Sequence, residues 1–223
     1  MVDPYEIPRL EMITAQIEQR GLHDPRLLAA FRSVPRHLFI PDELIQFSYE
    51  DKPLSIGSGQ TISQPYIVAL MTDLLRLQGD EIVLEIGTGS GYQAAILAYL
   101  VRSVHTIERD SSLAKKARDL LPALGFSNVF VHERDGCLGW PEQAPYPAIL
   151  VTAAAPAPPP ALLEQLSDLG RLVIPIGGHK GQTLQVWQRH GADFTSEEIL
   201  SVSFVPLRGV CGWNESEWVV KAP

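Results

Sequence analysis

The sequence has little cysteine, no excess of positive charge and no long hydrophobic run. Its 223 residues include two cysteines, Cys137 and Cys211, which are too few for a disulfide framework. We therefore expect two thiols in a reducing, cytoplasmic compartment. The formal charge of −8, from 18 basic and 26 acidic residues, disfavours broad contact with nucleic acid or anionic membranes. No stretch approaches the roughly 18 apolar residues that a membrane-spanning helix needs.

Signals for secretion and for metal binding are also missing. The opening residues, MVDPYEIPRLEM, contain no basic segment followed by an apolar core, so we expect no secretion signal. The six histidines and two cysteines do not show the spacing of metal ligands, so the sequence predicts no metal site.

The sequence predicts a mainly helical structure for residues 1–80. The apolar face of the first predicted helix ends at Gly21, and Asp24 and Pro25 start a second helix that stops before Pro35. After a loop, Pro65 begins a third helix, for which Ser63 or Gln64 is the candidate N-cap. The stretch GSGQTISQPY before this helix holds more hydroxyls than one cap requires.

From residue 81 onward, strands and helices alternate. The predicted parallel strands are 81–87, 103–108, 128–133 and 148–154, and helices are predicted over 92–102 and 112–124. Three further strands follow Gly170 without long helices between them. This pattern predicts an α/β fold with a Rossmann-like, doubly wound, mostly parallel sheet, helices on both faces and an antiparallel edge at the carboxyl end. We interpret residues 1–223 as one domain, with a helical part over 1–80 and the sheet over 81–223.

The first predicted strand runs into a glycine-rich turn, LEIGTGSGYQA. Three glycines at alternate positions permit a sharp turn and a close approach of a ligand to the backbone before a helix N-terminus. Tyr92 stands where a dinucleotide-binding fingerprint needs its third glycine, which argues against a nicotinamide dehydrogenase. Glu108 and Asp135 follow the next two predicted strands, so we expect polar groups from three loops to meet at one edge of the sheet.

The acid-x-G-x-G-x-G pattern resembles the first motif of class I S-adenosylmethionine methyltransferases. The resemblance implies that Glu85 favours the ammonium group of the cofactor, Glu108 binds the ribose hydroxyls and the Asp135–Gly136 turn contacts the adenine. The cofactor-binding residues that it implies are Glu85, Gly87, Thr88, Gly89, Ser90, Gly91, Glu108, Arg109, Asp135 and Gly136.

The rest of the chain resembles the protein-L-isoaspartate O-methyltransferases. The motifs that carry this resemblance are VPRHLFIP (34–41), YEDKPLSIGSGQTISQPYIVALM (49–71), LEIGTGSGYQAAILA (84–98), WPEQAPY (140–146), VTAAAP (151–156), GRLVIPIG (170–177) and FVPL (204–207). The match runs from about residue 12 to residue 213, and QTISQPY and PRHLFIP are its most specific parts. Ser63 falls on the serine that the family treats as its active-site residue, with Thr61 and Gln64 beside it in the acceptor pocket.

The resemblance implies methyl transfer from S-adenosylmethionine to the α-carboxylate of L-isoaspartyl residues, with S-adenosylhomocysteine as the other product. The partners are then damaged proteins and peptides, and we expect a monomer that binds neither nucleic acid nor membranes. Three positions depart from the family's pattern: Pro147 replaces a common aspartate, Arg208 a small apolar residue and Cys211 a common acid. The last two leave peptide preference and the role of residues 208–223 open, and D-aspartyl activity is open as well.

Four other functions compete with this interpretation. A methyltransferase of nucleic-acid adenines usually has an Asn/Asp-Pro-Pro-Tyr/Phe tetrad where this chain reads TAAAP. A nicotinamide dehydrogenase needs a third glycine where this chain has Tyr92. A catalytically silent cofactor-binding module and a relative specialised for one peptide remain as alternatives.

Overall fold

The computed structural model, which describes residues 3–218, contains a central seven-stranded sheet. Its strands are β3 (Ile82–Ile86), β4 (Ser103–Glu108), β5 (Val129–Glu133), β6 (Tyr146–Val151), β7 (Leu166–Gly178), β8 (Gly181–His190) and β9 (Asp193–Val202). Their order across the sheet is β5-β4-β3-β6-β7-β8-β9. The order reverses between β3 and β6, which is where ligands bind in open α/β sheets.

The five strands from β5 to β7 run parallel, and β8 and β9 are antiparallel to their neighbours. The sheet and its antiparallel edge confirm the predicted fold class. Residues of β3 pair with both neighbours, so that Leu84 lies between His105 and Ile149. Four of the five β3 residues and five of the six β6 residues are buried, because helices and loops cover both faces of the central strands.

Six α-helices accompany the sheet within the described residues. They are α1 (Glu6–Met12), α2 (Pro25–Ser33), α3 (Pro65–Leu74), α4 (Tyr92–Leu100), α5 (Ser111–Ala123) and α6 (Pro160–Glu164). Asp24 caps α2 as predicted, since its carboxylate accepts hydrogen bonds from the amides of Arg26 and Leu27. Asp110 caps α5 in the same way. Within residues 3–218 no helix is long and apolar enough to cross a bilayer.

The N-terminal helices share one hydrophobic core with the sheet. Phe31 of α2 and Phe39 both contact the ring of Tyr92 edge-on, with ring centroids 6.2 and 5.5 Å away. Arg36 is fully buried beside them; its guanidinium lies 5.1 Å from the centre of the Tyr92 ring, and its Nε donates to the carbonyl of Ser48. This packing fixes the first residue of α4 to the helical part of the chain.

The segment between α2 and α3 differs from the prediction of a loop. It contains two 3-10 turns, Arg36–Phe39 and Asp42–Phe47, and an antiparallel hairpin of β1 (Leu54–Gly57) and β2 (Gln60–Ile62). The hairpin turns tightly because all three residues from 57 to 59 have positive φ, and glycine at the first and third positions adopts that conformation without strain. Strands of four and three residues are too short to produce a reliable alternation in the sequence.

The expectation of two free thiols is wrong. Cys137, in the 3-10 turn after β5, forms a disulfide with Cys211 near the carboxyl end of the described chain, 74 residues away. Sequence spacing gave no indication of this pairing, because only the folded sheet brings the two segments together. Because the two cysteines are paired, they no longer indicate a reducing compartment.

Candidate functional site

A cavity of about 570 Å³ lies at the edge of the sheet where β3, β4 and β6 end. The loops after these strands, the turn after β5, the β1–β2 hairpin and the segment after β9 form its walls. It has the size of a small-molecule site. Of the residues implicated by sequence, those that line it are Thr61, Ser63, Gly87, Thr88, Gly89, Ser90, Glu108, Arg109 and Gly136.

The glycine turn forms the floor of this cavity. Gly87, Gly89 and Gly91 all have positive φ, and Gly91 is the N-cap of α4. A Cβ at position 87 would overlap Thr152 Oγ1, which donates to the Gly87 carbonyl over 2.7 Å. The turn therefore requires glycine here, and it leads into the N-terminus of α4, whose positive end suits an anionic group.

Glu108 is held in one orientation by backbone amides. Its Oε2 accepts from the amide of Gly89 and its Oε1 from the amide of Asp110, both at 2.9 Å. Each carboxylate oxygen keeps a second lone pair, and the side chain lines the cavity. The arrangement suits an acceptor for two adjacent hydroxyl groups, and the ribose contact that the resemblance implies for Glu108 stays a prediction.

Glu85 lies outside the cavity lining, although it leads the glycine motif. The side chain is fully buried; its Oε2 accepts from Thr106 Oγ1 at 2.5 Å, and Thr106 is in turn hydrogen-bonded to Thr88 over 2.7 Å. Burial, together with the nearby Glu108 carboxylate, raises the pKa of Glu85 to about 8. The structure gives Glu85 a supporting contact below the turn, and a direct contact with the cofactor stays a prediction.

Asp135 also lies outside the lining, and its neighbour Gly136 lines the cavity. The Asp135 carboxylate accepts from the amides of Cys137 and Val210, at 2.9 and 2.8 Å. A Cβ at position 136 would overlap Ile86, so this turn must also approach β3 as bare backbone. Asp135 thus shapes one wall of the cavity by connecting two segments.

A second cavity, of about 450 Å³, adjoins the first. It is lined by the start of α3, the end of β9 and the residues after it, with Arg20 and Pro53 at its side. Four residues line both cavities: Thr61, Ser63, Thr152 and Val205. The two spaces therefore meet at three hydroxyl groups. Gln64 lines the second cavity alone, and its amide donates to the carbonyl of Asp51 over 3.2 Å.

Thr61 and Ser63 place two hydroxyl-bearing side chains at the junction of the two cavities. Thr61 is exposed and Ser63 is half-buried, so a ligand in either cavity can reach them. Ser63 is not a helix cap, because Gln64 occupies the N-cap position of α3 without a side-chain bond and Pro65 follows it. Tyr66 and Ile67 of the first helical turn line the second cavity, so the positive end of α3 faces it.

Sequence reasoning missed several residues that line the first cavity. Thr152 directly follows β6, and the rule that led to Glu108 and Asp135 would have found it. Asp110 and Ser111 begin α5 beside Glu108. The segment after β9 is less predictable, because the backbone of Val205–Leu207 bonds to Ala154, which follows β6, although β9 itself lies at the edge of the sheet.

The departures from the family's pattern have separate locations. Pro147 lies near the start of β6, where the pairing with β7 shifts register, so it costs no ladder hydrogen bond at the centre of the sheet. Arg208 lines the first cavity and donates to the Trp213 carbonyl over 2.8 Å. Neither cavity is lined by a histidine or lysine among the described residues, and these residues contain no cluster of His, Cys, Asp and Glu able to hold a metal ion.

Comparison with known proteins places this geometry in a family. A sequence model described as protein-L-isoaspartate(D-aspartate) O-methyltransferase matches residues 9–211. The protein-L-isoaspartate O-methyltransferase of Methanoregula boonei is 54% identical over 216 residues, which cover 96% of this chain and 100% of the relative.

Solved structures agree with the sequence comparison. A protein-L-isoaspartate O-methyltransferase structure superimposes with a TM-score of 0.85 at 27% identity, over 92% of this chain and 67% of that one. A Plasmodium falciparum structure that carries the same family name and holds S-adenosyl-L-homocysteine has a TM-score of 0.78 at 22% identity, over 93% and 99% of the two chains. At that identity the second structure supports the fold alone.

The buried Glu85 carboxyl makes stability depend on pH. The pKa of Glu85 rises from 4.5 to about 8 on folding, so the folded protein binds a proton that the unfolded chain releases between these two values. Raising the pH from about 5 to about 8 therefore destabilises the fold through this group. Gln cannot ionise, so the variant Glu85→Gln escapes this loss. Relative to the parent protein, we expect its free energy of unfolding to be higher by a few kcal/mol more at pH 8 than at pH 5. Urea unfolding at both values measures this difference, with the exposed Glu198→Gln as control. An equal effect of Glu85→Gln at the two pH values would contradict the assignment.

Proposed function

The chain belongs to the protein-L-isoaspartate(D-aspartate) O-methyltransferase family, and we propose that it methylates the α-carboxylate of L-isoaspartyl residues in damaged proteins and peptides. The methyl donor is S-adenosylmethionine. The product ester closes to a succinimide, whose hydrolysis returns part of the damaged sites to aspartate. The observation that carries this proposal is the meeting of two cavities at the hydroxyl-bearing residues Thr61 and Ser63.

The first cavity fits the cofactor. Its two obligatory glycines, Gly87 and Gly136, pack as bare backbone against Thr152 and Ile86, which sets the course of two lining turns, and the N-terminus of α4 suits the carboxylate of the methionine part. Glu108, fixed by two amides, suits the ribose hydroxyls. When bound, S-adenosylmethionine supplies an electrophilic methyl group on a positively charged sulfur. Thr88, Ser90 and Arg109 complete the proposed binding set, with Glu85, Gly91 and Asp135 supporting the loops that carry it.

The second cavity fits the acceptor peptide. The Thr61 and Ser63 hydroxyls donate hydrogen bonds to the isoaspartyl carboxylate, and the amides at the start of α3 add their positive end to the same place. Gln64 fixes the neighbouring backbone at Asp51. In this arrangement a carboxylate at the junction points toward the first cavity.

The chemistry needs orientation more than proton transfer. A carboxylate is already ionised at neutral pH, so its oxygen attacks without a general base. This agrees with the lining of both cavities, which holds no histidine or lysine among residues 3–218. The residues of the chain accelerate the reaction by holding the acceptor in line and by limiting water around charges that cancel during transfer.

The wider setting stays a proposal. We infer a cytoplasmic monomer whose partners are isoaspartyl proteins and peptides, with no nucleic acid or membrane among them. The acidic composition supports the exclusion of nucleic acid. The loop after β6 reads TAAAP, without the side chains that a nucleic-acid adenine methyltransferase uses to hold an amino group. Single-domain organisation is supported by the core that the N-terminal helices share with the sheet.

Methyl transfer to paired peptides tests the function itself. We expect labelled methyl groups to enter a peptide with one isoaspartyl residue and not its matched aspartyl form, because only the former exposes an α-carboxylate beside its side-chain linkage. A second isoaspartyl peptide of unrelated sequence should also be methylated. Methylation of a single peptide sequence would favour the specialised relative, and cofactor binding without any transfer would favour the silent module.

Glu108→Gln tests the cofactor site. We expect the affinity for S-adenosylhomocysteine to fall by about 1.5–3 kcal/mol, because the ribose hydroxyls lose a charged acceptor. Calorimetry on folded protein measures the change. Glu133→Gln is the matched control, since Glu133 pairs with Glu108 across β4 and β5 and is exposed outside the cavity. Unchanged affinity in Glu108→Gln would remove this residue from the cofactor site.

Ser63→Ala and Thr61→Val test the acceptor site. We expect each to lower kcat/KM for an isoaspartyl peptide by about tenfold to a hundredfold, the effect of losing about 1.5–3 kcal/mol of hydrogen bonding to a charged group. The affinity for S-adenosylhomocysteine and the melting temperature should change little, because Ser63 caps no helix. Ser55→Ala serves as control, since Ser55 lies opposite Thr61 in the hairpin and outside both cavities. Parental kinetics in both variants would disprove the assignment.

A further inference from the structure

The Cys137–Cys211 disulfide joins two walls of the cofactor cavity. Cys137 adjoins Gly136, which lines the cavity after β5. Cys211 lies three residues beyond Arg208, which lines the cavity on the side of the C-terminal segment. The bond therefore sets the distance between two lining segments that are 74 residues apart in the chain.

The C-terminal segment is anchored at Val205–Leu207, and beyond residue 208 it is attached at the disulfide and packs through Trp213 against Gly178. Val205–Leu207 bonds through its backbone to Ala154, beside the central strands. From residue 208 the chain curls away: the amide of Trp213 returns to the Leu207 carbonyl, and Glu215 lines the cavity again. Between Arg208 and Trp213, Val210 is 78% exposed. The disulfide and a hydrogen bond to the Asp135 carboxylate attach residues 210 and 211 to the turn after β5.

We propose that Cys137 and Cys211 form a redox latch that holds residues 208–215 closed against the cofactor cavity and slows the exchange of S-adenosylmethionine and S-adenosylhomocysteine. This inference rests on the proposed function, since it assigns the cavity to that cofactor. Reduction of the latch leaves the Asp135 carboxylate as the remaining side-chain link to residue 210, so the segment opens more often without losing its anchor at Val205–Leu207.

The reducing agent is a dithiol. One of its thiolates attacks the sulfur of Cys211, which is half-buried, because Cys137 is only 2% exposed. A mixed disulfide with Cys211 forms as the Cys137 thiolate leaves. The second thiol of the reagent then displaces the Cys211 thiolate and closes a disulfide within the reagent. Two electrons and two protons pass from the dithiol to the protein, which ends with thiols at both positions, and an oxidant of the disulfide class reverses the exchange.

Dissociation of S-adenosylhomocysteine from the full-length chain tests the latch. Oxidised and dithiol-reduced protein are compared by stopped-flow displacement, with the thiol content checked by mass spectrometry. Amide hydrogen exchange over residues 205–218 is followed in parallel. Since dissociation passes through the open state, its rate is proportional to the open fraction, and we expect a tenfold rise of that fraction on reduction to accelerate dissociation about tenfold. Exchange should rise in residues 208–215 and stay slow at the Leu207 amide, which donates to the Ala154 carbonyl.

The double variant Cys137→Ser/Cys211→Ser is the matched control and should exchange ligand quickly with or without the dithiol. Cys211→Ser alone serves the same purpose if the double variant does not fold. Equal dissociation rates in verified oxidised and reduced protein would overturn the latch and leave the proposed function intact. Two thiols that resist oxidation in the folded protein would overturn it as well. Absence of ligand binding in both redox states would contradict the proposed function itself.

Discussion

Two hydrogen bonds to the Glu108 carboxylate connect the loops on which the site depends. One comes from Gly89 in the glycine turn after β3, and the other from Asp110, which caps α5 after β4. A single side chain thus fixes the ends of two neighbouring strands while keeping lone pairs toward the cavity. Thr152 makes the equivalent connection from β6 to Gly87. The cavity is built from loops, but its shape is set by these links between the central strands.

Three acids that follow or end strands at this edge have three different roles. Glu108 lines the cavity, Glu85 supports the turn from a buried position with a pKa raised by burial, and Asp135 connects the turn after β5 to residue 210. The resemblance implied a role for Glu85, and strand alternation predicted that the glycine turn, Glu108 and Asp135 would lie at one edge, because parallel strands end there together. It did not separate their roles, since burial and backbone partners depend on contacts with segments distant in the chain.

The same limit explains the other differences from prediction. The sheet, its antiparallel edge and the Asp24 cap follow from local patterns that sequence displays directly. The β1–β2 hairpin and the Cys137–Cys211 pair do not, because one has strands of four and three residues and the other closes over 74 residues. For Ser63, the sequence left two roles open, a helix cap or a contact with the acceptor. The structure excludes the helix cap, because Gln64 occupies the N-cap position of α3.

We infer that the cofactor and the acceptor occupy adjoining cavities and meet at Thr61 and Ser63. A crystal structure of the protein with S-adenosylhomocysteine and an isoaspartyl peptide tests it most directly. We expect the ribose on Glu108 and the peptide in the cavity beside α3. The isoaspartyl carboxylate should be hydrogen-bonded to the Thr61 and Ser63 hydroxyls and face the sulfur. A carboxylate bound elsewhere, with both hydroxyls left to solvent, would contradict it.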